Sequence, residues 1–433
     1  MQYLPNIFFA ALLIVGIGFF IRNVKKLSRN INLGKPVDRS DNKDLRWKNM
    51  INIALGQSKM VSRPIAGILH IIVYVGFIII NIEVVEIIID GLFGTHRILS
   101  FLGGFYGFLI NSFEILAVLV LVAVIVFWIR RMVLRIPRFW NKEMMGFPKN
   151  DALNILYFEM VLMTLFLIMN ATDTQFQEAN SGNIISQFIA PLFDSLSVES
   201  LHLVERSAWW LHIVGILIFL NYLYYSKHLH ILLAFPNTYY ANLNAKGRLN
   251  NLDSVTNEVK MMLDPNTDPF AAPAEAESTE TVEKFGAEDV MDLNWIQLMN
   301  AYTCTECGRC TSVCPANITG KELSPRAIMM KTRDRVEEVG KNIDKNSKFV
   351  DDGKSLLDTI TAEELWACTS CNACVEECPV DIDPLSIIID MRRFQVMEKS
   401  AAPQELNMMM TNIENNGAPW QYNQMDRLNW KDE

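Results

Sequence analysis

The sequence predicts a mainly α protein in two parts, a five-helix transmembrane bundle followed by a cytoplasmic helical cysteine module. Three observations predict it: five long runs almost free of charge lie before Pro236, the composition turns polar and acidic after it, and all eight cysteines of the 433 residues fall between Cys304 and Cys378. This length suits two or three domains. The chain divides into a membrane domain over 1–235, a linker over 236–292, a cysteine domain over 293–400 and a partner-docking tail over 401–433. A net charge of −9 without a basic footprint excludes nucleic acid as a partner.

The first run, residues 3–21, is uncharged and followed directly by Arg22, Lys25, Lys26 and Arg29. A cleaved signal peptide carries its positive charge ahead of the apolar core. The reverse order predicts a membrane helix with its N-terminus outside. Residues 65–82 form the second run, 98–129 with only Glu114 the third, 152–171 with only Glu159 the fourth, and uncharged 207–226 the fifth, apart from histidine. A helix of about 20 residues crosses roughly 30 Å of hydrocarbon, so each run can span a lipid bilayer. Residues 22–63 carry eleven Lys or Arg against three Asp, and 130–149 hold Arg130, Arg131, Arg135, Arg138, Lys142 and Lys149, whereas 90–100 and 172–206 have one Arg each. The positive-inside rule places the basic loops in the cytoplasm, giving a multi-pass protein of the inner membrane. Five spans that start outside deliver the cysteines to the cytoplasm, where a set with none left over for a disulfide belongs.

The cysteines repeat one pattern, Cys304-x2-Cys307-x2-Cys310-x3-Cys314-Pro315 and Cys368-x2-Cys371-x2-Cys374-x3-Cys378-Pro379. A cubane cluster needs four thiolates around one small volume, and three cysteines at this spacing wrap it while the fourth reaches the other cluster. Two [4Fe-4S] clusters are expected, one on Cys304, Cys307, Cys310 and Cys378, the other on Cys368, Cys371, Cys374 and Cys314. Four-cysteine zinc sites also use CxxC pairs, but two runs each closed by Cys-Pro favour iron–sulfur. Helices are expected over 323–340 and 384–397. A flexible or partner-wrapping segment is expected over 263–281. The tail, with Trp420, Tyr422 and Trp430, reads as a docking element.

All six histidines lie outside the cysteine module. His212 and His230 are eighteen residues apart, so an unbroken helix presents both on one face about 27 Å apart. His70 opens the second span at the level of His230, and two histidines at one depth can hold a haem iron axially. A haem b on His70 and His230 is expected. For a second haem, His212 lacks a counterpart at Ile80 or Asn81, which leaves His96 as its candidate partner; His202 and His228 are expected to be exposed or interfacial. Glu83 and Glu86 share a helical face near the outer boundary, where they serve a proton or quinone path, or else snorkel to the interface. Glu114 and Glu159 are candidates to bind a neighbouring helix. Tyr106, Trp128, Trp209 and Trp210 read as interfacial anchors.

With His70, His212 and His230 so placed, the five-span part resembles the cytochrome b (gamma) subunit of respiratory nitrate reductase and the membrane subunit of heterodisulfide reductase. The part from Ala301-Tyr302-Thr303-Cys304-Thr305-Glu306-Cys307-Gly308-Arg309-Cys310 through Leu323-Ser324-Pro325-Arg326 to Cys378 resembles the two-cluster ferredoxin domain of heterodisulfide reductase-like proteins and related electron-transfer flavoprotein–quinone oxidoreductases. The resemblance implies a cytochrome b-like bundle and a membrane-bound electron-transfer subunit working between a quinone or quinol and a separate cytoplasmic redox subunit. Two departures stand out. Ile80 occupies the position of a second helix-two histidine, and Asn415-Asn416-Gly417-Ala418-Pro419-Trp420 resembles the segment that precedes a CCG-type cysteine-rich domain in fused relatives, which places that catalytic domain on the partner. Two rival readings are a membrane-tethered ferredoxin without haem, its helices only a lipid anchor, and a redox-sensing or assembly protein without quinone turnover.

Overall fold

A computed structural model describes residues 3–179, 181–265 and 284–432. Five helices are long and apolar enough to cross a membrane: α1 Leu4–Ile31, α2 Pro64–Phe93, α3 Gly104–Met132, α4 Phe147–Thr172 and α5 Val198–Tyr222. Proline near the start of α1, α2 and α4 removes an N–H that would have no partner there. α2 stops at Gly94, whose φ of +71° suits a residue without a Cβ. Within the bundle α4 packs between α3 and α5, α2 lies on α3, and α1 closes against α5 and α2. Its core includes Phe9, Ile110, Phe113, Phe166 and Ile213, and Gly76 admits Val120 so closely that a Cβ there would lie 2.5 Å from it. Outward-facing Ile14, Phe108 and Val161 are exposed, as a lipid-covered surface requires.

The fifth span corrects one expectation. No unbroken helix carries both His212 and His230, because α5 ends at Tyr222, the chain turns through short 3-10 segments, and α6 begins afresh at His230–Tyr239. Ser226, extended at φ −107° and ψ 149°, makes the break. The Asp151 carboxylate accepts the Lys227 N–H at 3.0 Å and holds the turn.

The C-terminal module is helical, and the only bridge among the described residues outside helices joins Lys35 to Asn294. Its main helices are α7 Trp295–Thr303, α8 Pro325–Asn346 and α9 Pro384–Met397. Ser324 and Asp383 cap α8 and α9 by accepting N–H groups of Ala327 and Ser386, each with Pro next. The folded module begins earlier than residue 293: Ala287 and Val290 are fully buried, and the Ala287 N–H donates to the Asp390 carbonyl at 2.9 Å. Residues 253–263 form a helix, and the wrapping segment expected over 263–281 lies outside the described residues from 266 on. In the tail, α10 Gln404–Asn416 buries no residue, and Met408 and Ile413 are exposed.

The two parts share one core. Leu27 of α1 and Leu229 and Leu233 around α6 belong to the same buried cluster as Leu298, Ile328, Val336 and Met391. Next to it Lys26 and Arg29 pair with Asp344, and the buried Asn30 donates to the Tyr302 hydroxyl at 2.9 Å. A Cβ on Gly340 would sit 2.6 Å from Asn30 Nδ2, and the Asn30 side chain is held by Arg29 and Tyr302. Gly340→Ala is therefore expected to destabilise the protein by about 1–3 kcal/mol. Thermal unfolding of the detergent-solubilised chain measures it, with Gly18→Ala, which meets open space, as the control expected to stay at the wild-type temperature or above.

Candidate metal centres

The two cysteine loops are conformational copies. In the first, Glu306 and Gly308 take φ of +53° and +71°; in the second, Ser370 and Asn372 take +55° and +59°. These are the same two positions after the leading cysteine of each run. The left-handed turns point backbone N–H groups at sulfur: Ser370 N–H donates to Cys368 Sγ at 3.4 Å, and Glu306 N–H bonds the Cys304 sulfur. Cys304, Cys307, Cys310 and Cys378 line one cavity, with Cys374 also on its wall. Cys368, Cys371, Cys374 and Cys314 lie within electrostatic reach of one another. Among the described residues no three His, Cys, Asp or Glu side chains converge on a single-ion site. The sulfurs ring a space, which suits a cubane better than one zinc ion. Burial, with smaller pushes from a nearby carboxylate, Glu306 or Asp383, and then from neighbouring thiols, raises Cys304 to about 11 and Cys374 to about 12, so thiolate forms there only when a bound cation stabilises it. Cys371 alone of the eight is exposed.

The family model described as a 4Fe-4S dicluster domain matches residues 303–382. The C-terminal module is a 4Fe-4S dicluster domain. Over 96% of its length the chain is 29% identical to a probable iron-sulfur-binding oxidoreductase, FadF, of Bacillus subtilis, of which it covers 59%. It is 25% identical over 92% of its length to EtfAB:quinone oxidoreductase of Syntrophomonas wolfei, of which it covers 55%. A probable membrane-anchored ferredoxin of Chromohalobacter salexigens is 34% identical over 34% of the chain, which covers 24% of it. The chain thus spans little more than half the length of the first two relatives. No solved structure matches it. The similarities support an iron–sulfur electron-transfer protein with membrane helices.

The dicluster domain docks on the basic loops of the bundle. Arg63 pairs with Glu377 at 2.7 Å and Lys59 with Asp381 at 2.7 Å. Arg309 donates to the Lys59 carbonyl at 2.9 Å, while the fully buried Arg326 donates to the Arg138 carbonyl at 2.7 Å and to Glu143 at 2.6 Å. Lys227, in the turn before α6, pairs with Glu306 of the first cysteine loop.

At that turn the rings of His70 and His230 stand with centroids 6.4 Å apart. His230 Nδ1 is 3.1 Å from the Lys227 carbonyl, and His70 Nδ1 is buried without a partner. His228, expected at an interface, instead stacks on His230 at 5.5 Å with its Nδ1 buried; burial first, then the two neighbouring imidazoles, pushes it down to about 3, so it is neutral. His96 and His212 are not brought together. His212 Nδ1 contacts the Leu162 carbonyl at 3.0 Å beside Phe166, Ile80 is buried, and His96 Nε2 lies 3.1 Å from Asp173. His202 is exposed, as expected.

Around the C-terminal end of α2 a cavity of about 380 Å³ is lined by Glu83, Glu86, His96, Arg97, Asp173 and Trp209 among others. Glu83 and Glu86 are 3% and 4% exposed, which rules out snorkelling. Glu86 accepts from the Leu99 N–H at 2.9 Å and the Tyr106 hydroxyl at 3.0 Å, whereas Glu83 Oε2 has no partner. Tyr106 and Trp209 are buried core groups, not interfacial anchors. Glu114 does bind a neighbouring helix, accepting from Asn170 of α4 at 3.1 Å and from the N–H groups of Ile185 and Ser186. Arg97 and Asp173, paired at 2.8 Å, were not singled out in the sequence; the one signal was a lone Arg in an otherwise uncharged stretch.

Gly308 tests the loop geometry. It needs φ +71°, and a Cβ there would lie 2.4 Å from Arg326 Nη1. Gly308→Ala is expected to cost about 1–3 kcal/mol and to speed iron loss to a chelator. Asn372→Gly, at the matching position of the second loop, is expected to hold iron as wild type does.

Proposed function

We propose that the chain is a membrane-bound electron-transfer subunit that carries electrons between the quinone pool and a separate cytoplasmic redox subunit, through a haem b and two [4Fe-4S] clusters. The observation that carries this reading is the placement of the His70–His230 pair at the turn whose Lys227 grips the first cysteine loop. A metal between two imidazoles puts their ring centres about 6 Å apart, from two bonds of about 2 Å and two ring radii, and the observed separation is of that size. The Lys227 carbonyl orients His230 through Nδ1 and leaves Nε2 free, the usual arrangement for a ligating histidine. The residues around His212 do not fit a second haem, and no step is assigned to one.

When bound, the clusters and the haem supply one-electron carriage. The chain's residues do the rest. Cys304, Cys307, Cys310 and Cys378 would hold the first cluster, and Cys368, Cys371, Cys374 and Cys314 the second. The N–H groups of Glu306 and Ser370 stabilise charge on sulfur, and the shared core excludes water between bundle and clusters. Glu83 and Glu86 offer a proton path at the outer cavity, and no electron step is assigned there. The basic loops that hold the dicluster domain are those that the positive-inside rule puts in the cytoplasm, which supports an inner-membrane protein with its N-terminus outside. Quinone as the membrane reactant and a separate redox partner are both supported by the name of the Syntrophomonas relative, EtfAB:quinone oxidoreductase.

The likeness to a probable membrane-anchored ferredoxin favours one alternative, a tethered ferredoxin without haem. A reduced-minus-oxidised absorption spectrum of the protein purified from membranes separates the two. The expected result is a b-type haem signal that disappears in His70→Ala and His230→Ala and persists in His212→Ala and His96→Ala, together with electron exchange between a quinol analogue and the clusters. Absence of the haem signal returns the tethered ferredoxin; haem and clusters that never exchange electrons with quinol or quinone leave the sensing or assembly protein.

A further inference from the structure

Glu306 lies between two cysteines of the first loop, 3% exposed and in a left-handed conformation that a residue with a Cβ rarely adopts. Its two carboxylate oxygens are both taken: Oε2 by Lys227 Nζ and Oε1 by Arg333 Nη1 at 2.8 Å. Lys227 is itself 7% exposed, and its other contacts come from the membrane bundle, with Nζ donating to the Pro148 carbonyl at 2.6 Å and standing 3.9 Å from Asp151. Its carbonyl is the group that receives His230 Nδ1. One residue of the bundle thus holds His230 with its main chain and the first cysteine loop with its side chain.

The charges around the two loops differ. Near the first stand Lys227 and Arg333, with Arg131 and Arg138 in reach of Cys307, against Glu306, Asp151 and Asp334. Near the second, Arg392 reaches Cys368 and Asp383 faces Cys374, while Cys371 is open to solvent. A reduced cluster carries one more negative charge than an oxidised one, so local cations raise its potential, and burial with fixed cations acts more strongly than the screened surface charges of the second site.

We propose that Lys227 and Glu306 are positioning residues that lock the first cysteine loop to the His230 turn, and that the surplus of cations around that loop makes the membrane-side cluster the higher-potential one of the two. This rests on the functional reading above. With the clusters bound by their cysteines, this ordering would favour one-electron transfer, one cluster oxidised as the other is reduced with no proton or co-reactant, from the exposed Cys371 side toward the membrane.

The test is an EPR-monitored redox titration of the full chain with its clusters, in wild type and four variants. Wild type is expected to show two separate midpoints. Glu306→Gln, which removes the negative charge and leaves both cations, raises the upper midpoint; Lys227→Gln lowers it; the double variant returns toward wild type; Lys227→Arg keeps the charge and the potential. The lower midpoint stays fixed in all four. An upper midpoint unmoved by both single variants, or two midpoints moving together, overturns the inference. If Glu306→Gln loses iron, Lys227→Gln decides alone, because it leaves the cysteine loop intact. Iron content and the wild-type EPR signals are read first: their absence refutes the two-cluster reading itself, whereas intact signals with unmoved potentials refute only the role of the pair.

Discussion

Leu27 near the C-terminal end of α1, and Leu229 and Leu233 beyond the fifth span, are buried among Ile328, Val336 and Met391 of the dicluster domain. Burying one such side chain stabilises a structure by roughly 1.5–3 kcal/mol, so these three leucines anchor the junction before any polar contact is counted. The rest of the arrangement depends on that continuity. A domain hung from a flexible tether would sample many orientations, and an electron carrier in it would meet the bundle only transiently. Here α1, a candidate membrane span, and the turn and α6 that follow the fifth span extend into the domain's own interior.

The polar contacts at the junction then act in a medium from which water is largely excluded. Arg326, fully buried, has the Arg138 carbonyl and the Glu143 carboxylate as partners, and Lys227 has Glu306. Buried ion pairs of this kind contribute little net stability, since desolvation offsets much of their attraction, but removing one partner is costly. Their effect is to admit one docking geometry. The basic loop before α2 supplies the cations that meet Glu377 and Asp381 on the domain.

The cysteine loops were the most legible part of the sequence because their chemistry is local: spacing within eleven residues and a closing proline determine what four thiols can surround. The capped starts of α8 and α9 were legible for the same reason, through Ser324-Pro325 and Asp383-Pro384. Burial was not. Whether Glu83, Tyr106, Trp209 or His228 faces lipid, solvent or core depends on which helices lie alongside, and nothing in the run of residues near them records that. The missing helix-two histidine at Ile80 was legible; that His212 Nδ1 would meet the Leu162 carbonyl was not. His96 failed as a partner because Asp173, far along the chain, holds it.

The histidine pair was reached from the sequence by a step that the structure does not contain. Eighteen residues on one continuous helix were to align His212 with His230, yet the helix ends at Tyr222 and the chain turns before His230. The proximity of His70 and His230 survives because the turn is held in its place by Asp151, which accepts both the Tyr222 hydroxyl at 2.7 Å and the Lys227 N–H at 3.0 Å. That break is also what frees Lys227. In an unbroken helix its carbonyl would be committed to the N–H four residues on; in the turn the carbonyl meets the His230 ring and the side chain reaches Glu306. The interruption of the fifth span therefore leaves Lys227 in touch with both candidate redox sites.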